Sequence, residues 1–136
     1  MKIFGIGTDI VNIKRMEKSL KRHGNKFKKR VFSEKEIDYC EKKKNSSAFY
    51  AKRFAAKEAF SKAMGTGIRK DLTLKNIEII NDKNGKPSIK LKGSVNVFLK
   101  KKIKNKKYNI YLSLSDDKPW AQATVIISHN WWKKKL

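Results

Sequence analysis

Glu58, Ser61, Lys62 and Gly65 are spaced i, i+3, i+4 and i+7, so a helix through them carries a carboxylate, a hydroxyl and an ammonium on one stripe that ends at glycine. By spacing alone, Glu58 and Lys62 are also an ordinary Glu-to-Lys i,i+4 pair, worth about 0.2–0.5 kcal/mol on an exposed face. A distant carboxylate gives the stripe a second meaning. In Phe4-Gly5-Ile6-Gly7-Thr8-Asp9, strand alternation puts Gly5, Gly7 and Asp9 on one face, with no side chains beside the carboxylate. Such a bare face has room for a ligand or for a helix at close range. If that helix is the one bearing Glu58, Asp9 and Glu58 are placed to share a hard cation.

The elements that must position these groups follow from local pattern. Phe54 to Met64 is a run of good helix formers that stops at Gly65-Thr66-Gly67, and its opposite stripe, Ala56, Ala59, Phe60 and Ala63, is apolar and mostly small. That stripe reads as core. Residues 2–11 read as a strand, followed by a helix on Ile13, Met16 and Leu20 that Gly24 ends. Ser33-x-x-Glu36 fits a capping box opening a helix through Ile37 and a buried Cys40, and residues 42–47 form a basic loop into the central helix. Ile77–Ile80 and Ser88–Leu91 are strands about the turn Asp82-Lys83-Asn84-Gly85-Lys86-Pro87. A helix on Val95, Phe98, Leu99 and Ile103 precedes two closing strands, Tyr108–Ser115 and Trp120–Ser128. This order predicts an α+β fold whose mainly antiparallel sheet packs against the long central helix. Residues 1–128 form one domain, and 129–136 a basic and aromatic tail in which Trp131 and Trp132 either meet a membrane surface or fold back.

Composition bounds the function. With 35% charged residues and a formal charge of +23, the surface attracts polyanions: nucleic acid, anionic membrane or an acidic protein. A single cysteine excludes an internal disulfide and a thiolate zinc site, and two separated histidines add no metal cluster. The cytoplasm is the expected compartment: the apolar run from Ile3 is too short for a signal peptide, and no stretch approaches the roughly 20 apolar residues of a membrane span. Arg69-Lys70-Asp71 reads as a loop, and neither it nor Gly65-Thr66-Gly67 forms a nucleoside-triphosphate loop.

Gly5-Ile6-Gly7-Thr8-Asp9-Ile10-Val11, taken with Arg53-Phe54-Ala55-Ala56-Lys57-Glu58-Ala59 and Lys62-Ala63-x-Gly65-Thr66-Gly67, resembles the holo-[acyl-carrier-protein] synthases, single-domain 4′-phosphopantetheinyl transferases. The likeness extends in order through Arg30-Val31-Phe32-Ser33-x-x-Glu36, Asn81-Asp82-x-x-Gly85-Lys86-Pro87 and Ala121-x-Ala123-Thr124-Val125-Ile126-Ile127. It covers nearly the whole chain.

The resemblance implies transfer of the 4′-phosphopantetheine group of coenzyme A to a serine of apo acyl carrier protein, in support of fatty acid biosynthesis. It implies magnesium held by Asp9 and Glu58, with Lys62 adding positive charge at the phosphate, and either a metal-bound water or Glu58 as base. Coenzyme A contacts are implied at Arg53, Ser61, Lys62, Gly65, Gly85, Lys86, Pro87 and Tyr111, with the backbone around Gly85, Lys86 and Pro87 by the adenine end. At Tyr111 many members carry histidine. Tyrosine can stack or donate a hydrogen bond there but supplies no titratable cation near neutral pH.

The resemblance also implies a homotrimer with active sites between subunits, and an acidic carrier protein docking on Arg15, Arg22, Lys26, Phe27 and Arg30. A solvated face is the plain alternative for those basic residues. Two rival functions stand beside this reading: a nucleic-acid-binding accessory protein, which explains the charge but not Asp9, Glu58 or the glycine face, and the same fold serving carrier domains of multidomain synthases.

Overall fold

The computed structural model describes residues 1–67 and 72–130, so the expected loop at Arg69-Lys70-Asp71 and the tail with Trp131 and Trp132 lie outside the described residues. Strand β1 (Lys2–Asn12) leads into helices α1 (Ile13–Val31), α2 (Glu34–Glu41) and α3 (Ser46–Ala63). A short 3-10 turn (Leu74–Asn76) then opens the hairpin β2 (Ile77–Asn81) and β3 (Pro87–Leu91), followed by α4 (Gly93–Lys102), β4 (Tyr108–Asp117) and β5 (Trp120–His129).

The fold is α+β with antiparallel sheets, as expected, but the strands divide into two sheets. One has the order β1-β5-β4, and β2 and β3 form the other by themselves. The last strand is therefore the centre of the larger sheet, pairing Gly7 with Val125 and Asp9 with Ala123 on one side and Leu112 with Val125 on the other. Its inward residues Ala121, Ala123, Val125 and Ile127 are fully buried, and the alanines let α3 lie close.

Helix α3 begins at Ser46, inside the last two residues of the basic loop read for residues 42–47. Tyr50 and Ala51 in this first portion are buried with Met16, Phe32 and Cys40, while Ala55, Ala59, Phe60 and Ala63 join a second core with Leu72, Ile77, Leu99 and Ile127. One helix thus serves both cores. Burial raises the Cys40 thiol to about 12, so it is packing rather than a nucleophile.

Gly24 does not end the first helix. Its backbone (φ 54, ψ −137) kinks the chain, and helix resumes through Lys28, Lys29 and Arg30 to Val31. The segment after Gly24 is helical because Phe27 and Val31 again present apolar groups one turn apart, with Phe27 set edge-on to Phe32 at 6.3 Å. The Ser33 capping box is present in full: Ser33 Oγ accepts from the Glu36 N–H at 3.3 Å, and Glu36 Oε1 accepts from the Ser33 N–H at 3.0 Å.

Candidate active site

The site begins with a backbone contact. A Cβ built on Gly7 would lie 1.8 Å from the Ala59 carbonyl oxygen, and one on Gly5 would lie 1.8 Å from that of Ala63. Only glycine lets β1 touch the helix backbone at these two points. Because β1 advances as α3 recedes, the next same-face residue of the strand, Asp9, comes to the part of the helix that carries Glu58.

The charges there are unequal. Lys62 Nζ donates to Asp9 Oδ1 at 3.0 Å and to the Thr8 carbonyl at 3.0 Å, bridging strand and helix. Glu58 titrates above the usual carboxylate range, first because it is partly buried and second because the Asp9 charge repels it, with Lys62 opposing the shift. Two carboxylates therefore face one ammonium. No group of three or more histidine, cysteine or acidic side chains exists among the described residues. A pair of hard oxygen donors fits magnesium, which is usually bound by one or two carboxylates and completes its shell with water and substrate phosphate.

Asp9 and Glu58 open into a cleft of about 420 Å³ that is also lined by Asn12, Arg15, Phe27 and Phe54. Arg15 and Phe27, read from the sequence as carrier-docking residues, thus share a cleft with the two carboxylates. Arg22, Lys26 and Arg30 are exposed along α1 outside it. Phe27 is half-buried against Phe32, so its ring is part core and part cleft wall.

The remaining residues fall in three places. Ser61 is fully buried, with its hydroxyl donating to the Glu58 carbonyl at 2.7 Å, and Gly65 (φ 78) ends α3 by donating to the Lys62 carbonyl at 2.9 Å. Gly85, Lys86 and Pro87 lie at the β2–β3 turn, away from the carboxylate cleft, and Arg53 is tied to that hairpin through Asn81. Tyr111 stands in register with Ile126 and, through it, Ile6, on the sheet face turned away from α3. Within one chain it does not meet Asp9 or Glu58.

A family model described as the 4′-phosphopantetheinyl transferase superfamily matches residues 5–124. This chain belongs to that superfamily. Among curated proteins it is 51% identical over 127 residues to the holo-[acyl-carrier-protein] synthase of Pelagibacter ubique, covering 93% of this chain and 98% of the relative. Among solved structures it is similar to holo-[acyl-carrier-protein] synthase from Neisseria meningitidis, with a TM-score of 0.84, 36% identity, and coverage of 93% and 98%. It is also similar to the holo-(acyl-carrier-protein) synthase from Bacillus anthracis in complex with CoA (3′,5′-ADP), with a TM-score of 0.78, 35% identity, and coverage of 96% and 100%.

In this member of the transferase superfamily, one buried ion pair went unread in the sequence. Lys57, next to Glu58, has no exposed surface, and its ammonium donates to Glu36 Oε1 at 2.7 Å and to the carbonyls of Leu74 and Ile77 at 2.9 and 2.6 Å. Burial pulls its pKa down while Glu36 counters that pull. The pair locks α3 to α2 and to the start of β2, holding the helix turn that presents Glu58. Its signal was a lysine on the buried half of the helix, three residues before Phe60. The capping box had already accounted for Glu36, which hid its second partner.

Proposed function

We propose that this chain is a holo-[acyl-carrier-protein] synthase. It moves 4′-phosphopantetheine from coenzyme A to a serine hydroxyl of apo acyl carrier protein. The serine oxygen forms a bond to the phosphorus that bears pantetheine, the bond from that phosphorus to the bridging oxygen breaks, and adenosine 3′,5′-bisphosphate leaves. The observation that carries this reading is the meeting of Asp9 and Glu58 at one cleft with Arg15 and Phe27, with Lys62 bonded to Asp9 beside them. Cation and carrier sites are then adjacent, as the reaction requires.

Asp9 and Glu58 would hold magnesium, which when bound supplies charge neutralisation at the pyrophosphate. Lys62, which donates to Asp9 and to the Thr8 carbonyl, would add positive charge at the phosphate. The serine proton passes to Glu58 or to a water held in the cleft. Arg15, Arg22, Lys26 and Arg30 attract the acidic carrier, and Phe27 gives the contact an apolar anchor. Arg53, Ser61, Gly65, Gly85, Lys86, Pro87 and Tyr111 belong to coenzyme A binding.

The working form is a homotrimer in the cytoplasm, with no specific nucleic-acid partner. Support for assembly comes from the sheet face opposite α3, where Ile6 is 63% exposed, Ile10 60% and Tyr111 49%. Such a face is costly to leave in water. A neighbouring chain on it would bring Tyr111 toward a second subunit's cleft. Among the described residues no helix is long and apolar enough to cross a membrane.

The experiment is mass spectrometry of apo acyl carrier protein after incubation with the wild-type chain, coenzyme A and magnesium. A phosphopantetheine mass gain is expected. An unmodified carrier would contradict the assignment and return the polyanion-binding reading to the front.

A further inference from the structure

The turn between β2 and β3 is fixed in two separate ways. Its shape is internal: Asp82 Oδ1 accepts from the N–H groups of Asn84 at 2.8 Å and Lys86 at 2.9 Å, and the Gly85 N–H donates to the Asp82 carbonyl at 3.0 Å. Gly85 holds φ 86, a conformation that favours glycine, and nothing lies within 4 Å of where its Cβ would be. The place of the turn relative to α3 is set by another residue.

That residue is Asn81, the last of β2. Its Nδ2 donates to the Gly85 carbonyl at 3.0 Å, while its Oδ1 accepts from Arg53 Nη2 on α3. Arg53 is 2% exposed, and its guanidinium carbon lies 4.1 Å from the centre of the Tyr39 ring. Stacking and burial make it a rigid anchor, and its Nε is buried without a hydrogen-bond partner among the described residues. The amide is required because it accepts at one end and donates at the other. A carboxylate only accepts, and an apolar side chain does neither.

We propose that Asn81 is a positioning residue for coenzyme A, carrying the fixed position of Arg53 on α3 to the Gly85 turn and so setting where that turn meets the adenosine end of the coenzyme. This rests on the coenzyme A reading given above. Asp82 gives the turn its form, and Asn81 gives it its address.

Asn81→Asp separates the two ends of this relay. It keeps and strengthens the acceptor toward Arg53 but sets a carboxylate oxygen against the Gly85 carbonyl. The turn should loosen from α3 while Arg53 stays in place. Two readouts are needed: calorimetric binding of adenosine 3′,5′-bisphosphate, which involves no turnover, and steady-state kinetics on both substrates. Asn81→Asp should weaken the nucleotide and raise KM for coenzyme A by the same factor, roughly tenfold for one lost hydrogen bond. KM for carrier protein, kcat and the thermal midpoint should hardly move. Asn81→Ala and Asn81→Ser, which add no charge beside Arg53, should weaken the nucleotide similarly, and weakening in the aspartate variant with wild-type affinity in either neutral one would overturn the inference. Wild-type nucleotide affinity in Asn81→Asp would overturn the inference and confine Asn81 to supporting Arg53. If the wild-type chain itself binds no adenosine 3′,5′-bisphosphate, the coenzyme A reading falls and takes this inference with it.

Discussion

Lys62 Nζ sits 3.0 Å from Asp9 Oδ1, joining the central helix to the first strand across the glycine contact. One helical turn earlier, Glu58 is partly buried and faces the Asp9 charge with only a share of that ammonium, and burial first and that repulsion second raise its pKa. An acid whose folded pKa is raised stabilises the fold at low pH, and that stability is lost as pH climbs through the raised value. Above the glutamate range the ionised Glu58 therefore disfavours the fold.

The first prediction follows from that sign. Without divalent cations, Glu58→Gln should melt above the wild type at neutral pH, and the difference should vanish as pH falls below the ordinary glutamate range. Magnesium should raise the wild-type midpoint and leave Glu58→Gln unmoved. Thermal scans across pH, with and without magnesium, check both. Equal magnesium shifts in the two proteins would remove Glu58 from the cation site.

Gly7→Ala should be severely destabilising. Its Cβ would be driven to 1.8 Å from the Ala59 carbonyl oxygen, a backbone atom that moves only if α3 moves. Overpacking of this kind typically costs about 1–3 kcal/mol, and here it also separates Asp9 from Glu58. Urea unfolding measures the loss. Any fraction that folds should transfer slowly even at high magnesium.

The buried pair Lys57 and Glu36 makes a third case. Removing one partner leaves an uncompensated charge in the core, so Lys57→Met should cost about 3–5 kcal/mol. Glu36→Gln keeps the cap acceptor for Ser33, and the double variant Lys57→Met, Glu36→Gln should recover part of the loss. Urea midpoints of the two singles and the double decide it. Additive losses would mean that the two groups act independently.

Docking on α1 is the fourth. Reversing Arg15 and Arg22 to glutamate should raise KM for carrier protein strongly, leave KM for coenzyme A nearly unchanged, and flatten the salt dependence. Exposed charges act over about 10 Å at 0.1 M salt, so steering by them fades as salt rises. Steady-state kinetics on both substrates at low and high salt is the check. Unchanged carrier kinetics would place docking elsewhere.

What the sequence revealed and what it hid divide along physical lines. Gly5, Gly7 and Asp9 were legible as one bare strand face because alternation is strictly period two, and the small stripe Ala56, Ala59 and Ala63 named a helix able to approach it. The packing of the first part of α3 was not, because Ser46 to Lys52 mixes serines, aromatics and lysine without a clean stripe, and burial of Ala48, Tyr50 and Ala51 in one core overrides propensity there. The helical piece after Gly24 was missed because a glycine at positive φ kinks a helix as readily as it ends one. Pairings such as Arg53 with Asn81 and Lys57 with Glu36 join residues far apart in the chain, and spacing carries no signal of them.

The central claim is that Asp9 and Glu58 act together as the cation site of phosphopantetheine transfer. Mass spectrometry of apo acyl carrier protein, taken over time with Asp9→Asn and Glu58→Gln at saturating magnesium and with circular dichroism as the folding control, tests it most directly. Both folded variants should fall far below the wild-type rate, and to a similar degree, since each leaves the cation one carboxylate. A folded variant that modifies the carrier at a near-normal rate would contradict the account.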